Sequence, residues 1–146
     1  MRNAIEGDLS EIQRLDSEAF PAAPYPYFVL RQFVDAFPRY LLVLDDRRIL
    51  YGYLQATPPD QGQCWLLSLC VAAKSRRQGL GRLLVTELLA RLRAEHVHTV
   101  KLSVEPGNTA AIELYAQLGF LYSGSHPDYF GPGESRHLMT LSLRCP

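Results

Sequence analysis

The feature that most limits the possible folds of this chain is a glycine-containing turn between two apolar segments, "SRRQGLGRLL" at residues 75–84. The segment before it, "CWLLSLCVAA", is nearly continuously apolar, as is typical of a sheet strand covered on both faces. The segment after it repeats leucine at helical spacing, which predicts a helix from about Gly79 to Glu95 with Leu83 among its inward residues. A strand that turns directly into a helix indicates an α/β or α+β protein built around a mixed sheet.

The glycines of this turn predict a site for an anion. Gly79 and Gly81 let the backbone turn tightly and approach a ligand closely. The first N–H groups of the following helix have no partner within the helix, and the helix dipole favours negative charge there. With Arg76, Arg77 and Arg82 nearby, these N–H groups favour a bound phosphate, although a turn with solvated arginines also fits this short stretch.

Known phosphate-binding motifs narrow the interpretation. A P-loop requires Lys and Ser or Thr after its second glycine, where this chain has Arg82 and Leu83. A dinucleotide fingerprint requires a third glycine at position 84, which is leucine here. The pattern Arg/Gln-x-x-Gly-x-Gly/Ala at a strand-to-helix junction fits in full from Arg76 to Gly81.

Local signals predict further strands and helices on both sides of this turn. Asp8 followed by Glu11 resembles a capping box, and it predicts a helix whose inner face carries Ile12, Leu15 and Ala19. A second helix is predicted at "FVLRQFVDAF", and a third at "NTAAIELYAQL" between an Asn108 N-cap and Gly119. The predicted strands are "RNAI", two strands around a turn at residues 45–48, "VHTVKLSV", "FLYSGSH" and "RHLMTLSL".

Composition limits the classes of protein that remain. The 146 residues, 47% of them hydrophobic, fit a single domain over 1–146. Fifteen basic and fifteen acidic residues cancel, so a nucleic-acid partner is not expected. Cys64, Cys70 and Cys145 have no metal-ligand spacing, so we expect neither a metal site nor a disulfide framework. No apolar run approaches the roughly 20 residues that span a bilayer, and we expect a cytoplasmic protein with no membrane partner.

Three segments in order resemble the GCN5-related N-acetyltransferase (GNAT) family: "LLSLCVA", "RRQGLGRLL" and "LSVEPGNTAAIELYAQLGF". Some of this resemblance is to the subgroup that acetylates the N-terminal alanine of ribosomal proteins. It implies the GNAT fold, a mixed and mostly antiparallel sheet of six to seven strands flanked by about four helices. In that fold a bulge splays two neighbouring strands apart, and the cofactor binds between them.

The resemblance implies acetyl-CoA as the acetyl donor. The diphosphate would lie on backbone N–H groups of the glycine turn, and the pantetheine arm would pair with the preceding strand like an added strand. The implied cofactor-binding residues are Leu69, Cys70, Val71, Arg76, Arg77, Gln78, Gly79, Leu80, Gly81, Arg82 and Asn108.

Tyr115 is the predicted catalytic residue. It shares the inward face of its helix with Ala111, Ile112 and Leu118, where a tyrosine can be simply part of the core. The resemblance implies that Tyr115 is the general acid that protonates the departing CoA thiolate. A phenol with an ordinary pKa near 10 is protonated at neutral pH and can donate that proton.

The general base stays open at this point. The ribosomal-protein subgroup has a glutamate where this chain has Ser103, and a serine is a poor base. Ser68 on the apolar strand could at most hold a water. Glu105, His126, Tyr129 and a water relay are the remaining candidates.

Together these features predict transfer of an acetyl group to a primary amine, by direct attack within a ternary complex. The acceptor is either a small-molecule amine or a protein N-terminus, and the aromatic and proline-rich segment 20–30 would wall its pocket. A non-catalytic acyl-CoA-binding module and a toxin-like acetyltransferase of aminoacyl-tRNA are the alternatives. The neutral charge balance argues against the second of these, and a homodimer is compatible with any of the three.

Overall fold

The computed structural model describes residues 1–144, so Cys145 lies outside the described part of the chain. The helices and strands follow in chain order as β1 (Arg2–Asn3), α1 (Leu9–Ala19), α2 (Tyr27–Ala36), β2 (Leu41–Asp45), β3 (Leu50–Ala56), β4 (Gln63–Val71), α3 (Leu80–Ala94), β5 (Thr99–Val104), α4 (Thr109–Gln117), β6 (Leu121–His126) and β7 (Arg136–Ser142). Short 3₁₀ turns precede α1 and follow β4. None of the helices within residues 1–144 is both long and apolar enough to cross a membrane.

The described strands form one seven-stranded sheet in the order β1-β2-β3-β4-β5-β7-β6. Neighbouring strands are antiparallel except β4 and β5, which are parallel and are joined through α3. A parallel pair needs such a crossover, whereas the antiparallel neighbours are joined by shorter connections. The prediction of a mixed, mostly antiparallel sheet with about four helices is therefore confirmed.

Helices cover the two faces of the sheet with two separate apolar clusters. On one face α3 and α4 pack over the strands, with Leu84, Leu88 and Phe120 fully buried. On the other face α1 and α2 bury Ile12 and Leu30 against the strands. The fold is thus a three-layer arrangement, helices on sheet on helices, stabilised mainly by burial of apolar side chains.

A bulge at Leu67 interrupts the pairing of β3 with β4. Gln55 pairs with Ser68 and the next residue, Ala56, pairs with Leu66, so Leu67 is an additional residue on β4. An additional residue reverses the side-chain alternation that follows it. Cys64 and Leu66 accordingly belong to the α3-side cluster, whereas Cys70 belongs to the α1-side cluster. The buried, even-numbered residues of β4 therefore face the α3 side before the bulge and the α1 side after it.

The predicted capping box at the start of α1 is wrong. Asp8 does precede the helix, but its carboxylate accepts hydrogen bonds from the Ile5 N–H at 2.8 Å and from the Arg2 guanidinium at 2.8 Å. Glu11 instead pairs with Arg14 on the helix surface. Arg2, which lies on β1, provides a stronger charge-assisted partner than a backbone N–H alone.

One predicted core position is also wrong. Leu83 in α3 is 48% exposed, while Leu84 and Leu88 beside it are buried. Leucines at helical spacing form an apolar helix face. The part of that face that packs on the sheet includes Leu84 and Leu88 but not Leu83.

We predict that Gly52→Ala destabilises the fold through the close approach of β3 to β4. A Cβ at Gly52 would lie 2.7 Å from the backbone oxygen of Cys70 and 3.2 Å from Leu84 Cδ1, so one strand must move. Forced overpacking of this kind costs about 1–3 kcal/mol. Urea unfolding should show that loss, and Gly7→Ala, whose Cβ meets nothing within 4 Å, should stay within about 0.5 kcal/mol of the parent. Equal stability of the two variants would contradict the prediction.

Candidate active site

The site is built around a gap between β4 and β5. Their parallel pairing ends at Leu66 with Leu102. Beyond that point β5 pairs with β7 as far as Val104, and β4 pairs with β3 as far as Val71. Residues 67–71 of β4 therefore have one edge without a strand partner. The splayed strand pair that the family resemblance implied is confirmed, and it begins at the bulge.

Leu69 and Val71 of β4 direct their backbone groups into this gap, as the pairing of their neighbours with β3 shows. The Ala72 N–H donates to the Tyr51 carbonyl at 2.8 Å, and the Cys70 carbonyl faces Gly52. Since bonding direction alternates along an antiparallel strand, the N–H and C=O of Leu69 and Val71 point to the opposite edge. An extended ligand can bind to such an edge as an added strand.

Cys70 does not contribute to the gap in this way. Its backbone carbonyl faces β3, and its side chain lies on the α1 side of the sheet, where Sγ donates to the Leu15 carbonyl at 3.3 Å. Burial raises the pKa of this thiol to about 12, so it stays protonated at neutral pH. The expectation that all of residues 69–71 line the cofactor therefore narrows to Leu69 and Val71.

The glycine turn, residues 76–82, lies at the carboxyl end of β4 and opens α3. Arg77 and Gly79 have φ of 64° and 79°, in the left-handed region that occurs in turns whose successive backbone N–H groups bind an anion. The Leu83 N–H donates to the Gly79 carbonyl at 3.0 Å, but the N–H groups of residues 77–82 have no acceptor among the described residues. Free N–H groups at the start of a helix can bind a phosphate group, and this helix is 15 residues long.

Gly81 holds this turn close to the gap. A Cβ there would lie 3.3 Å from Leu114 Cδ2 in α4 and 3.7 Å from Leu69 Cδ2 in β4. The Arg82 guanidinium also donates to Gln117 of α4. The first turn of α3, the unpaired edge of β4 and helix α4 thus meet in one place. Arg76, Arg77, Gln78 and Gly79 are exposed around this point, and Leu80 is half-buried.

Asn108 lies at the start of α4, directly after β5. Its Oδ1 accepts a hydrogen bond from the Ala111 N–H at 3.2 Å, which confirms the predicted N-cap. Its side-chain NH₂ donates to no acceptor within residues 1–144, so it can donate to a ligand.

Tyr115 is buried on the inner side of α4, with its ring centroid 5.6 Å from that of Phe120. Burial raises the pKa of its phenol, so it is protonated at neutral pH. Its hydroxyl makes no hydrogen bond to the described residues. Among those residues Gln55 Oε1 is the one side-chain polar atom that is both fully buried and unpaired, so the Tyr115 oxygen keeps some solvent exposure. A protonated phenol with a free hydroxyl is suited to donate a proton.

The residues considered for the general base are distributed over two regions. Val100, Leu102 and Val104 belong to the α3-side cluster, so the alternation of β5 places Ser103 on the α1 side. Glu105 is exposed in the turn after β5. His126 and Tyr129 lie together, with ring centroids 5.7 Å apart. His126 is exposed at the end of β6, and Tyr129 is half-buried in the β6–β7 connection.

Sequence reasoning missed one polar cluster. Asp16 is 1% exposed in α1, and its carboxylate accepts a hydrogen bond from the Tyr53 hydroxyl, which lies 3.0 Å from Ser68 Oγ. The signal was present in the sequence, because Asp16 follows Ile12 by four residues and so shares its inward face. A charged residue on an otherwise apolar helix face indicates a buried polar partner.

Comparison with known proteins identifies the family. Residues 7–120 match the family model described as "Acetyltransferase (GNAT) family", and the chain belongs to this family. It is 30% identical to an N-alpha-acetyltransferase of Sulfurisphaera tokodaii over 98% of this chain and 92% of that protein. It is 32% identical to the [ribosomal protein bS18]-alanine N-acetyltransferase of Salmonella typhimurium over 74% of this chain and 72% of that protein.

Structural similarity extends over nearly the whole described chain. Ard1 from Thermoplasma volcanium superimposes with a TM-score of 0.90 at 19% identity, covering 99% of this chain and 97% of that one. At that identity the likeness shows the fold alone. The family membership makes the protein an acetyl-CoA-dependent N-acetyltransferase.

We predict that Gly79→Ala weakens acetyl-CoA binding about tenfold or more. A side chain at φ of 79° is strained by about 1–2 kcal/mol, and relaxation of that strain would change the directions of the backbone N–H groups in the glycine turn. Calorimetric titration with acetyl-CoA measures the effect.

Gly133→Ala is the matched control for this experiment. Gly133 has φ of 76° and, like Gly79, has no atom within 4 Å of an added Cβ, but it lies in the β6–β7 connection. The two variants should lose similar stability, and only Gly79→Ala should lose affinity. Unchanged affinity in Gly79→Ala would contradict the role of the glycine turn.

Proposed function

We propose that this chain transfers the acetyl group of acetyl-CoA to the α-amine of a polypeptide N-terminus, by direct attack within a ternary complex. The observation that carries the proposal is the gap between β4 and β5, because its β4 edge has no strand partner and leads to N–H groups of residues 77–82 that have no acceptor among the described residues. On that edge the Val71 carbonyl accepts a side-chain hydrogen bond from Arg76 Nε at 3.2 Å. This arrangement holds a long molecule with a phosphate at one end and its reactive group in the gap.

Backbone groups supply most of the donor site. The N–H groups from Arg77 to Arg82 bind the diphosphate, with Arg76 at the rim, and Leu69 and Val71 pair with the pantetheine arm. Asn108 donates its side-chain amide to the same arm while its oxygen caps α4. Acetyl-CoA, when bound, supplies the acetyl group as an activated thioester.

Tyr115 acts as the general acid in this proposal. Burial keeps its phenol protonated, and its hydroxyl is free of hydrogen bonds to the described residues. A proton donated to the leaving sulfur makes that sulfur a better leaving group.

The choice of a polypeptide α-amine rests on the relatives that match most of the chain. The relative aligned over 98% of this chain is named an N-alpha-acetyltransferase, and the one aligned over 74% is named for the alanine of a ribosomal protein. The α1–α2 segment and the β6–β7 turn, which the family resemblance assigns to the acceptor side, are largely exposed, and they would leave that side open to an extended chain.

A single peptide tests this choice. It begins with a free alanine and contains one internal lysine, and the control peptide is the same sequence with its N-terminus already acetylated. We expect CoA release with the first peptide and none with the second, and fragmentation by mass spectrometry should place the acetyl group on the α-amine. Modification of the lysine alone would contradict the proposal, as would activity confined to small amines or to aminoacyl-tRNA.

We predict that Tyr115→Phe lowers kcat by about 100-fold, because a general acid contributes about 10²–10⁴ to the rate. The dissociation constant for acetyl-CoA should change by less than about twofold, since the ring and its contact with Phe120 remain. Tyr40→Phe is a matched control, because Tyr40 is also buried but donates its hydroxyl to Glu95 rather than facing the site. An unchanged kcat in Tyr115→Phe would return Tyr115 to a purely structural role.

A further inference from the structure

A buried chain of hydrogen bonds leads from α1 to the bulge in β4. Asp16 and Tyr53 are 1% and 0% exposed, and Ser68 at the end of the chain is 8% exposed. One oxygen of Asp16 accepts from the Tyr53 hydroxyl, and the other accepts from the Tyr25 backbone N–H at 2.7 Å. The Tyr53 oxygen lies 3.0 Å from Ser68 Oγ.

The donors in this chain have a defined direction. Both oxygens of Asp16 act as acceptors, so the single proton of Tyr53 is directed to Asp16. The Tyr53 oxygen is then the acceptor in its contact with Ser68, and the proton of Ser68 is directed to Tyr53. The lone pairs of Ser68 Oγ therefore remain available to accept a hydrogen bond from a group outside this hydrogen-bond network.

Ser68 lies where the strands part. It directly follows the bulge residue Leu67, on the first stretch of β4 that has no β5 partner. It lies on the α1 side of the sheet, the side to which the alternation of β5 also assigns Ser103. The lone pairs of Ser68 are thus close to the point where the gap opens.

A second acceptor lies directly across from Ser68. Gln55 is the cross-strand partner of Ser68, and its Nε2 donates to the Ala56 carbonyl at 2.6 Å. Its Oε1 is buried and accepts no hydrogen bond from the described residues. Such an atom is costly unless a donor reaches it, so two acceptors adjoin at this position.

We propose that Ser68, Tyr53 and Asp16 form the relay that deprotonates the acceptor amine, with Ser68 in contact with the ammonium group. This inference rests on the proposed function and deepens it by assigning the base. Ser68 is the catalytic residue of the three, whereas Tyr53 and Asp16 act through it. From the sequence alone Ser68 was expected at most to hold a water, because its hydrogen bonds to Tyr53 and Asp16 form only when the chain folds.

The proton transfer balances without a further reactant. One N–H proton of the ammonium passes to Ser68 Oγ as the Ser68 proton passes to Tyr53 and the Tyr53 proton to Asp16. The freed nitrogen lone pair forms the C–N bond, and the C–S bond breaks with its electron pair on sulfur, which takes a proton from Tyr115. Tyr115 recovers a proton from solvent, and the nitrogen and Asp16 each release one to solvent, so one proton is released per turnover.

Other groups that face this network do not titrate in the range of the test. Tyr25 and Cys70 are the titratable groups beside Asp16 from the α1–α2 segment and from β4. Burial, with the charge of Asp16, raises the pKa of Tyr25 above its ordinary value of 10 and that of Cys70 to about 12. The same causes raise the pKa of Tyr53. A change in rate between pH 6.5 and 9.5 therefore reports on the amine and on its base.

The test measures kcat/KM against pH for Ser68→Ala, Tyr53→Phe and Ser68→Thr, using the alanine-initiated peptide and the intact chain. An α-amine has a pKa of about 7.7–8.0, so it is mostly ammonium at pH 6.5 and mostly neutral at pH 9.5. We expect Ser68→Ala and Tyr53→Phe to lose about 100-fold at pH 6.5 and to come within about threefold of the parent at pH 9.5. Ser68→Thr keeps the hydroxyl and should retain most of the activity at both pH values.

Controls separate a relay from a structural role. Tyr51→Phe removes a hydroxyl from the same strand, where it bonds to the exposed Asp46, and it should leave the pH profile unchanged. Acetyl-CoA affinity measures whether each variant is folded. A loss of equal size at every pH, or no loss in either Ser68→Ala or Tyr53→Phe, would overturn the relay. Turnover by the parent tests the proposed function alone, and the ratio of variant to parent tests the relay alone.

Discussion

The structure depends on the parting of β4 and β5 after Leu66 and Leu102, which the bulge at Leu67 begins. Up to that point the two strands share a regular parallel ladder, and beyond it each pairs with its outer neighbour only. The additional residue on β4 has two effects, because it ends the pairing and also reverses which side chains face α3. One irregularity in one strand therefore provides both the unpaired edge and the placement of Ser68 on the opposite face.

The parallel pairing of β4 and β5 determines where the glycine turn lies. A parallel pair requires a crossover, and the helix that makes it begins at the carboxyl end of β4, beside the gap. The absence of a side chain at Gly81 brings that helix within contact distance of Leu69 and Leu114. The donor site that we propose is consequently made mostly from backbone N–H and C=O groups, which would let a chain with no net charge bind an anionic molecule.

Features that depend on neighbours along the chain were predictable from sequence. The glycine turn, the Asn108 cap and the order of helices and strands all have local causes, such as helical spacing and capping chemistry. Features that depend on distant partners were not. Asp8 does not cap α1 but bonds to Arg2, which also bonds to Asp45 on another strand. Cys70 faces away from the gap, and Asp16 reaches Ser68 only through a residue 37 positions away. A bulge has no reliable local sequence signature. The side of the sheet on which each β4 side chain lies could therefore not be predicted from the sequence.

A crystal structure of this chain with coenzyme A tests the central claim most directly. We expect the diphosphate within hydrogen-bond distance of the N–H groups of residues 77–82, and the pantetheine amides paired with Leu69 and Val71 in the gap. Strands β4 and β5 should keep the divergence that they show here. A diphosphate bound elsewhere on the surface, or a gap closed by renewed pairing of β4 with β5, would contradict the account.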